Sequence, residues 1–400
     1  MRSFLTLVGF EYKKIRKQKS AIIALAFVSV MMCFGPLAAL TGNSYIGGEL
    51  FESHFQAIYK DRAHSLALSG RAIDETLLME TKDAYAKIPD VERYAATTEY
   101  QNFARPYREI FLLLDAVYGV QYGDLRDVSE ADIHNFYQTR HDGIELVISA
   151  MNIGKSAKDK LIQLDSEIET PFVFTYIGAY DALIGNIYAM GIVCAFALAI
   201  CLAPMFAGEY STRADQLILS SKMGKGRLIL AKLFTAVSLS TVFFLLMLIL
   251  SYIVCSLAYG IDRPDAPFQL LIPYVAYPLT ILEATLVFGI CTFFGTLLTG
   301  SITLLLSAKC KSPFGVIIII SVLLFVPTVI HVPNSKVLLH HLFSLLPSNM
   351  AAIWAVFSHV PYNFFGLIVL PYVFLPIFAF LASAIILPFA WRGFRNHQIG

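Results

Sequence analysis

The sequence predicts an all-α polytopic membrane protein, with six transmembrane helices and a mostly helical extracellular domain. Three observations carry this reading. Several apolar runs exceed the roughly 20 residues needed to cross a bilayer core of about 30 Å. Hydrophobic residues make up 57% of the chain and charged residues only 15%, with a mean hydropathy of +0.65, outside the ordinary soluble range. Lys and Arg concentrate in the short segments between alternate apolar runs.

Residues 1–19 set apolar Phe4, Leu5, Val8, Tyr12 and Ile15 among Lys13, Lys14, Arg16, Lys17 and Lys19, a spacing that suits an amphipathic helix lying in the membrane interface. The first span occupies 20–42. A signal peptide also begins with a basic segment, but its apolar core is shorter than this run of about twenty residues, so a retained helix is expected. Segment 43–180 is the only extended polar region and reads as an extracellular helical domain. Helical periodicity runs through Glu49–Leu68, Asp74–Ile88, Ser129–Met151 and Ser156–Ile168, with Ser129-x-x-Asp132 and Ser156-x-x-Asp159 as N-terminal caps.

The remaining five spans fall within 181–400. The second covers Ala182–Ala207 and the third Leu228–Tyr259. The apolar run from Gln269 is too long for one crossing, so Pro273 and Pro278 are expected to separate an interfacial or re-entrant piece from a fourth span, Leu282–Leu306. The fifth, Phe314–Ile330, follows a basic turn with Ser312 as cap and Pro313 at the first helical position. Pro333, Pro347 and Pro361 divide 332–361 into two short amphipathic helices, expected as an extracellular re-entrant hairpin. The sixth covers Phe364–Ala390, anchored by Trp391, Arg392 and Arg395.

Six crossings place both termini on one side. Segments 1–19, 209–232, 307–313 and 391–400 hold 15 Lys and Arg against only Glu11, Glu209 and Asp215, whereas Arg263 and Lys336 are the only Lys or Arg in the two shorter opposite loops. That bias predicts a plasma-membrane protein with both termini cytoplasmic. Segment 43–180, with 13 basic and 22 acidic residues, is then extracellular. None of the six cysteines lies in it, so it folds without disulfides.

No GxxxxGK[ST] phosphate loop, HExxH or GxSxG occurs, so the chain is expected to be no enzyme and to hold no cofactor or metal of its own, nor to bind nucleic acid. The spans are nearly free of ionisable residues, which weighs against an ion-coupled carrier. Glu283 is either a substrate-path group or an interfacially solvated carboxylate at the end of the fourth span. Asn186 and Asn349 are either path groups or hydrogen-bonding partners between helices. His331, His340, His341 and His359 gather near the outer hairpin without a carboxylate or a reliable metal spacing. In the loop 209–227, Leu217, Ile218 and Leu219 sit among Glu209, Arg213, Asp215, Gln216, Lys222, Lys225 and Arg227. This is either a solvated basic loop or, because it is larger than a turn requires, a short helix offered to a groove on another protein.

The chain resembles the permease subunits of ABC exporters of the type-2 (type V fold) class. Glu11-Tyr-Lys13-Lys14 and the following basic cluster look like that family's interfacial elbow helix. Phe206-Ala-Gly-Glu209-x-x-x-Arg213 with Leu217–Ser221 and Arg227–Lys232 looks like its coupling helix, 209–221 here, and the start of the third span. Region 332–361 looks like its external hairpin, and the large insertion between spans one and two resembles the subgroup of sodium-extrusion and antibiotic-peptide exporters. The resemblance implies alternating access by two six-helix halves, a homodimer of this chain. Two copies of a separate ABC ATPase subunit would bind ATP and Mg and push on Glu209, Arg213, Leu217, Ile218 and Arg227, with the elbow residues Glu11, Lys13 and Lys14 set in membrane lipid. Peptide, lipid, drug and ion remain open as substrates. A membrane sensor or assembly protein with a ligand-binding external domain, and a secondary carrier, are the competing readings.

Overall fold

A computed structural model describes residues 2–120, 124–221, 224–330 and 332–397. It begins with α1 (Arg2–Lys17), whose last turn is basic. Val8, Glu11 and Ile15, spaced 3 and 4 apart, form its buried face, while Lys13, Lys14, Arg16 and Lys17 are exposed. Gln18, in extended conformation, turns the chain into α2 (Lys19–Ala38). Only Ala21, Val28, Met32 and Pro36 of α2 are buried, a single stripe, and the rest of its surface is apolar. In water such a surface is a liability; in lipid it is ordinary.

The polar region opens with a hairpin, β1 (Asn43–Ile46) and β2 (Glu49–Ser53), where a helix starting at Glu49 is expected from the sequence. Gly47 and Gly48, both at positive φ, make the two-residue turn that pairs Ile46 with Glu49, which only glycine-like residues adopt without strain. Helix α3 (His54–Leu68) therefore starts later, with Ser53 and Gln56 forming a capping box. Then come α4 (Glu75–Ala86), α5 (Arg108–Tyr118), α6 (Glu130–His134), α7 (Phe136–Ala150) and α8 (Lys155–Ser166). Ser129 and Asp132 form the expected capping box, but the helix it starts breaks at Asn135. Ser156 is not a cap: Gly154 holds that position. The region has its own core, in which Tyr85 stacks on Phe111 at 4.4 Å beside Leu77, Leu114, Phe136 and Phe172.

Next follow α9 (Gly178–Leu202), α10 (Pro204–Ser211), α11 (Ala214–Ser220), α12 (Arg227–Tyr259), α13 (Ile281–Lys309) and α14 (Pro313–Val329). The chain ends with α15 (Val337–Ser344), α16 (Ile353–Val356), a second hairpin of β3 (Tyr362–Phe364) and β4 (Leu367–Val369), and α17 (Pro371–Arg395). Helices α9 and α13 are the most buried of the long helices and form the centre, with α2, α12 and α17 packed around them. Among the described residues, five helices are long and apolar enough to cross a membrane: α2, α9 continued through α10, α12, α13 and α17. The expected fifth span, α14, has 17 residues, about 25 Å of helix, and is shorter than the others.

Residues 271–280, the piece expected ahead of the fourth span, form no helix. They are an irregular loop closed by the Pro267–Thr280 bridge, and Arg140 of α7, itself buried, donates to the carbonyls of Pro273 (2.7 Å) and Val275 (3.1 Å) while pairing with Asp165 (3.0 Å). Region 332–361 holds two short helices, α15 and α16, as expected. Between α15 and α16 the turn Asn349–Ala351 is buried against α9 and α13. The fit is close: a Cβ on Gly191 would lie 2.3 Å from the Ala351 Cβ, and one on Gly295 would lie 3.0 Å from the Pro347 carbonyl.

Candidate functional site

Lys232 lies in the second turn of α12 with 1% of its side chain exposed. A lysine buried to that degree is tolerated only when its three donors are met. Its Nζ donates to Glu11 Oε2 of α1 (3.0 Å), Glu209 Oε1 of α10 (2.8 Å) and the Met205 carbonyl (2.9 Å). Lys14 Nζ donates to the same Glu209 oxygen (2.7 Å) and lies 3.5 Å from Glu11 Oε1. Two lysines and two glutamates thus alternate in a closed, charge-neutral ring that joins three helices. Burial desolvates the Lys14 ammonium, yet its hydrogen bond to Glu209 and the Glu11 charge outweigh that and hold its pKa above the usual lysine value. Beside the ring, Tyr12 and Ser238 share a hydroxyl–hydroxyl bond of 2.8 Å, a second fastening of α1 to α12.

Glu209 is held at this depth by the local path of the chain. Pro204 cannot donate and opens a new helix, whose first N–H groups lack helical acceptors. Ser307 of α13 takes up two of them: its Oγ accepts from the amides of Phe206 and Ala207, at 3.0 Å each, and donates to the Ala203 carbonyl. The Tyr210 hydroxyl donates to the Ala308 carbonyl (2.8 Å). Helix α10 then stops. The Thr212 hydroxyl bonds back to the Gly208 carbonyl, and Arg213 adopts left-handed φ +57°, where glycine usually ends a helix. The single helix expected over 209–221 is therefore two pieces with a bend between them.

The short helix α11 has an inner and an outer face. Leu219 is buried among Phe206, Ile229 and Phe394, and Asp215 is buried with His397 Nε2 at 3.8 Å. Leu217 is 77% exposed, with Arg213, Gln216 and Ser220 exposed beside it and Ile218 half-buried. After the loop, Gly224 lies so near the Ile218 carbonyl that a Cβ there would fall within 1.6 Å of it. Parts of α1, α9, α12, α13 and α17 pack around this loop.

Of the residues singled out by sequence, Glu11, Lys14 and Glu209 are brought together, Arg213 and Leu217 face outward, and Arg227 opens α12. Lys13 lies on another face of α1, and Lys222 falls outside the described residues. Glu283 completes a capping box with Thr280 at the start of α13. Asn186 ties α9 to the Met32 carbonyl (3.2 Å) and to Ser251 (2.8 Å), and Asn349 donates to the Phe343 carbonyl (2.6 Å). No hydrogen bond joins these three to one another among the described residues. His340 bonds Ser358, His341 bonds the Val360 carbonyl and His359 accepts from the Ala276 amide; His331 lies outside the described residues.

Lys232 is the residue sequence reasoning missed, because it was counted with the basic flank of the loop. The signal was present: Leu228–Ala231 precede it and Leu233 follows, and a lysine inside an apolar helix calls for a buried partner. Compared with known proteins, the chain matches no family model, no curated protein and no solved structure.

Proposed function

We propose that this chain is the membrane subunit of an ATP-driven exporter of the ABC type-2 class. In this reading it works as one half of a homodimer, with both termini and the loop at α10–α11 cytoplasmic and the polar region outside. ATP and Mg are held by two copies of a separate ATPase subunit that docks on α11. One observation carries the reading: α11 presents Leu217 outward, with exposed charge beside it, on a base fixed by Leu219, Asp215 and the Lys232 ring. A short helix with an apolar ridge on a rigid base suits insertion into a partner's groove. The 15-to-3 excess of basic over acidic residues in the segments at this end supports its cytoplasmic placement.

The test is purification of the full chain from its native membrane with mass-spectrometric identification of what accompanies it. An ATP-hydrolysing subunit is expected in the wild-type preparation and absent when Arg213→Glu and Leu217→Asp are combined, the chain itself remaining folded. A preparation without such a subunit, or one that survives the double substitution, refutes the reading.

A second reading is favoured by a cavity of about 490 Å³ between the polar region and the start of α9, with Arg62, Glu109 and Asp181 on its wall. It suits a membrane sensor whose external domain binds a ligand. Ligand-dependent change without any ATPase partner would select it.

A further inference from the structure

Helix α1 has a second face that the Lys232 ring does not use. Gly9, Tyr12, Lys13 and Arg16 recur at spacings of 3, 1 and 3 and line one side of a groove of about 530 Å³. Ala21, Ile22 and Leu25 of α2 and Leu239 of α12 line the other side, so its walls are apolar. Gly9 leaves that space open: a Cβ added there would meet nothing within 4 Å. Among the described residues, no acidic one lines the groove. Glu11, the nearest carboxylate in sequence, is turned away and bonded to Lys232. Lys13 and Arg16 are exposed and, among the described residues, have no hydrogen-bond or ion-pair partner, in contrast to Lys14. The groove is also preformed, because the Glu11–Lys232 and Tyr12–Ser238 bonds fix α1 against α12.

We infer that this groove binds one anionic phospholipid, its phosphate between Lys13 and Arg16 and an acyl chain along Ile22, Leu25 and Leu239. An apolar groove beside a membrane span disfavours a purely polar anion, and two unpartnered cations at its rim attract an anionic headgroup. A zwitterionic headgroup would bring an ammonium to a rim that offers it no carboxylate. The chemistry that fits is a phosphodiester with an uncharged headgroup, as in phosphatidylglycerol. The inference needs only that the apolar helices lie in a bilayer and does not depend on the partner proposed for α11.

The experiment uses the full chain, delipidated in detergent and titrated with phosphatidylglycerol or with phosphatidylcholine of the same chains, the bound lipid being counted by native mass spectrometry. Phosphatidylglycerol is expected to bind with one strong site and phosphatidylcholine markedly more weakly. Lys13→Gln and Arg16→Gln should each weaken phosphatidylglycerol about fivefold and together about 25-fold, the size expected for one membrane-surface cation apiece. Gly9→Leu keeps both charges, removes a helix-disfavouring glycine and fills the groove, so it should abolish the strong site without lowering stability. Equal retention of the two lipids, unchanged affinity in the double variant or unchanged affinity in Gly9→Leu each overturns the inference. Displacement of the lipid by millimolar inorganic phosphate also overturns it, because the site would then be one for a free anion.

Discussion

Replacing Lys232 with methionine removes one charge from a four-member ring and keeps most of the side-chain volume. Each Lys232–carboxylate contact near 3 Å is worth about 5 kcal/mol of Coulomb attraction at an effective dielectric of 20. Most of that is cancelled by the cost of desolvating the ions, so the net value of the intact ring is small. The variant is different, because Glu11 and Glu209 stay buried with only the half-exposed Lys14 between them. Breaking a buried pair from one side costs about 3–5 kcal/mol. Lys232→Met should therefore destabilise the chain by about 3 kcal/mol in reversible denaturation from mixed micelles. Adding Glu11→Gln leaves a single Lys14–Glu209 pair and should recover at least half of the loss. A cost below about 0.5 kcal/mol, or a double-mutant cycle with no coupling, would refute the ring as a structural junction.

Three further outcomes follow from the same geometry. Arg213→Gly should leave stability unchanged or raise it by up to about 1 kcal/mol, whereas Arg213→Val should lower it, since a β-branched side chain tolerates φ +57° worst; thermal denaturation distinguishes them. Burial lowers His359 to about 4, the Asp165 charge opposing that shift and the Arg140 charge adding to it, so the unfolded chain takes up this proton near pH 6.5 and the folded chain only near 4. Its stabilising contribution is thus full above about pH 6.5 and falls by up to about 3 kcal/mol as pH drops to 4, and His359→Gln should flatten a stability profile taken over that range. Arg140→Met should cost about 3–5 kcal/mol by leaving Asp165 buried with only His141, and should speed limited proteolysis within 264–280, where the Pro273 carbonyl loses its donor and the Val275 carbonyl keeps only Gln269 at 3.3 Å.

What the sequence made legible follows from locality. Hydropathy over twenty residues places the long spans, and i, i+3, i+4 spacing identifies α1. The Ser129–Asp132 capping box and the Ser312–Pro313 helix start are written within four residues of chain. The features it hid are those whose partners are remote. Arg140 reads as one more surface arginine until α7 sets it against carbonyls 133 and 135 residues away, and Lys232 meets Glu11 across 221 residues. Two misses had a local signal that was overridden. Gly47-Gly48 marks a hairpin turn, but the helical spacing from Glu49 onward masks β2. Helix α5 buries Ile110, Phe111, Leu113 and Leu114 at helical spacing, but it follows Arg105-Pro106-Tyr107, which punctuates the chain like a loop.

The bend at Arg213 bears on what α11 can transmit. A surface helix hanging on a flexible loop moves independently of the spans behind it, so a push on Leu217 would dissipate in the loop. Here the base is held at three points: Leu219 in the apolar cluster with Phe206 and Phe394, Asp215 beside His397, and Gly224 pressed onto the Ile218 carbonyl. One bend behind it, Glu209 is held by two lysines, one on α1 and one on α12. If a partner docks on Leu217 as proposed, α11 and the Glu209 junction behind the bend are the contacts through which it would bear on α1 and α12.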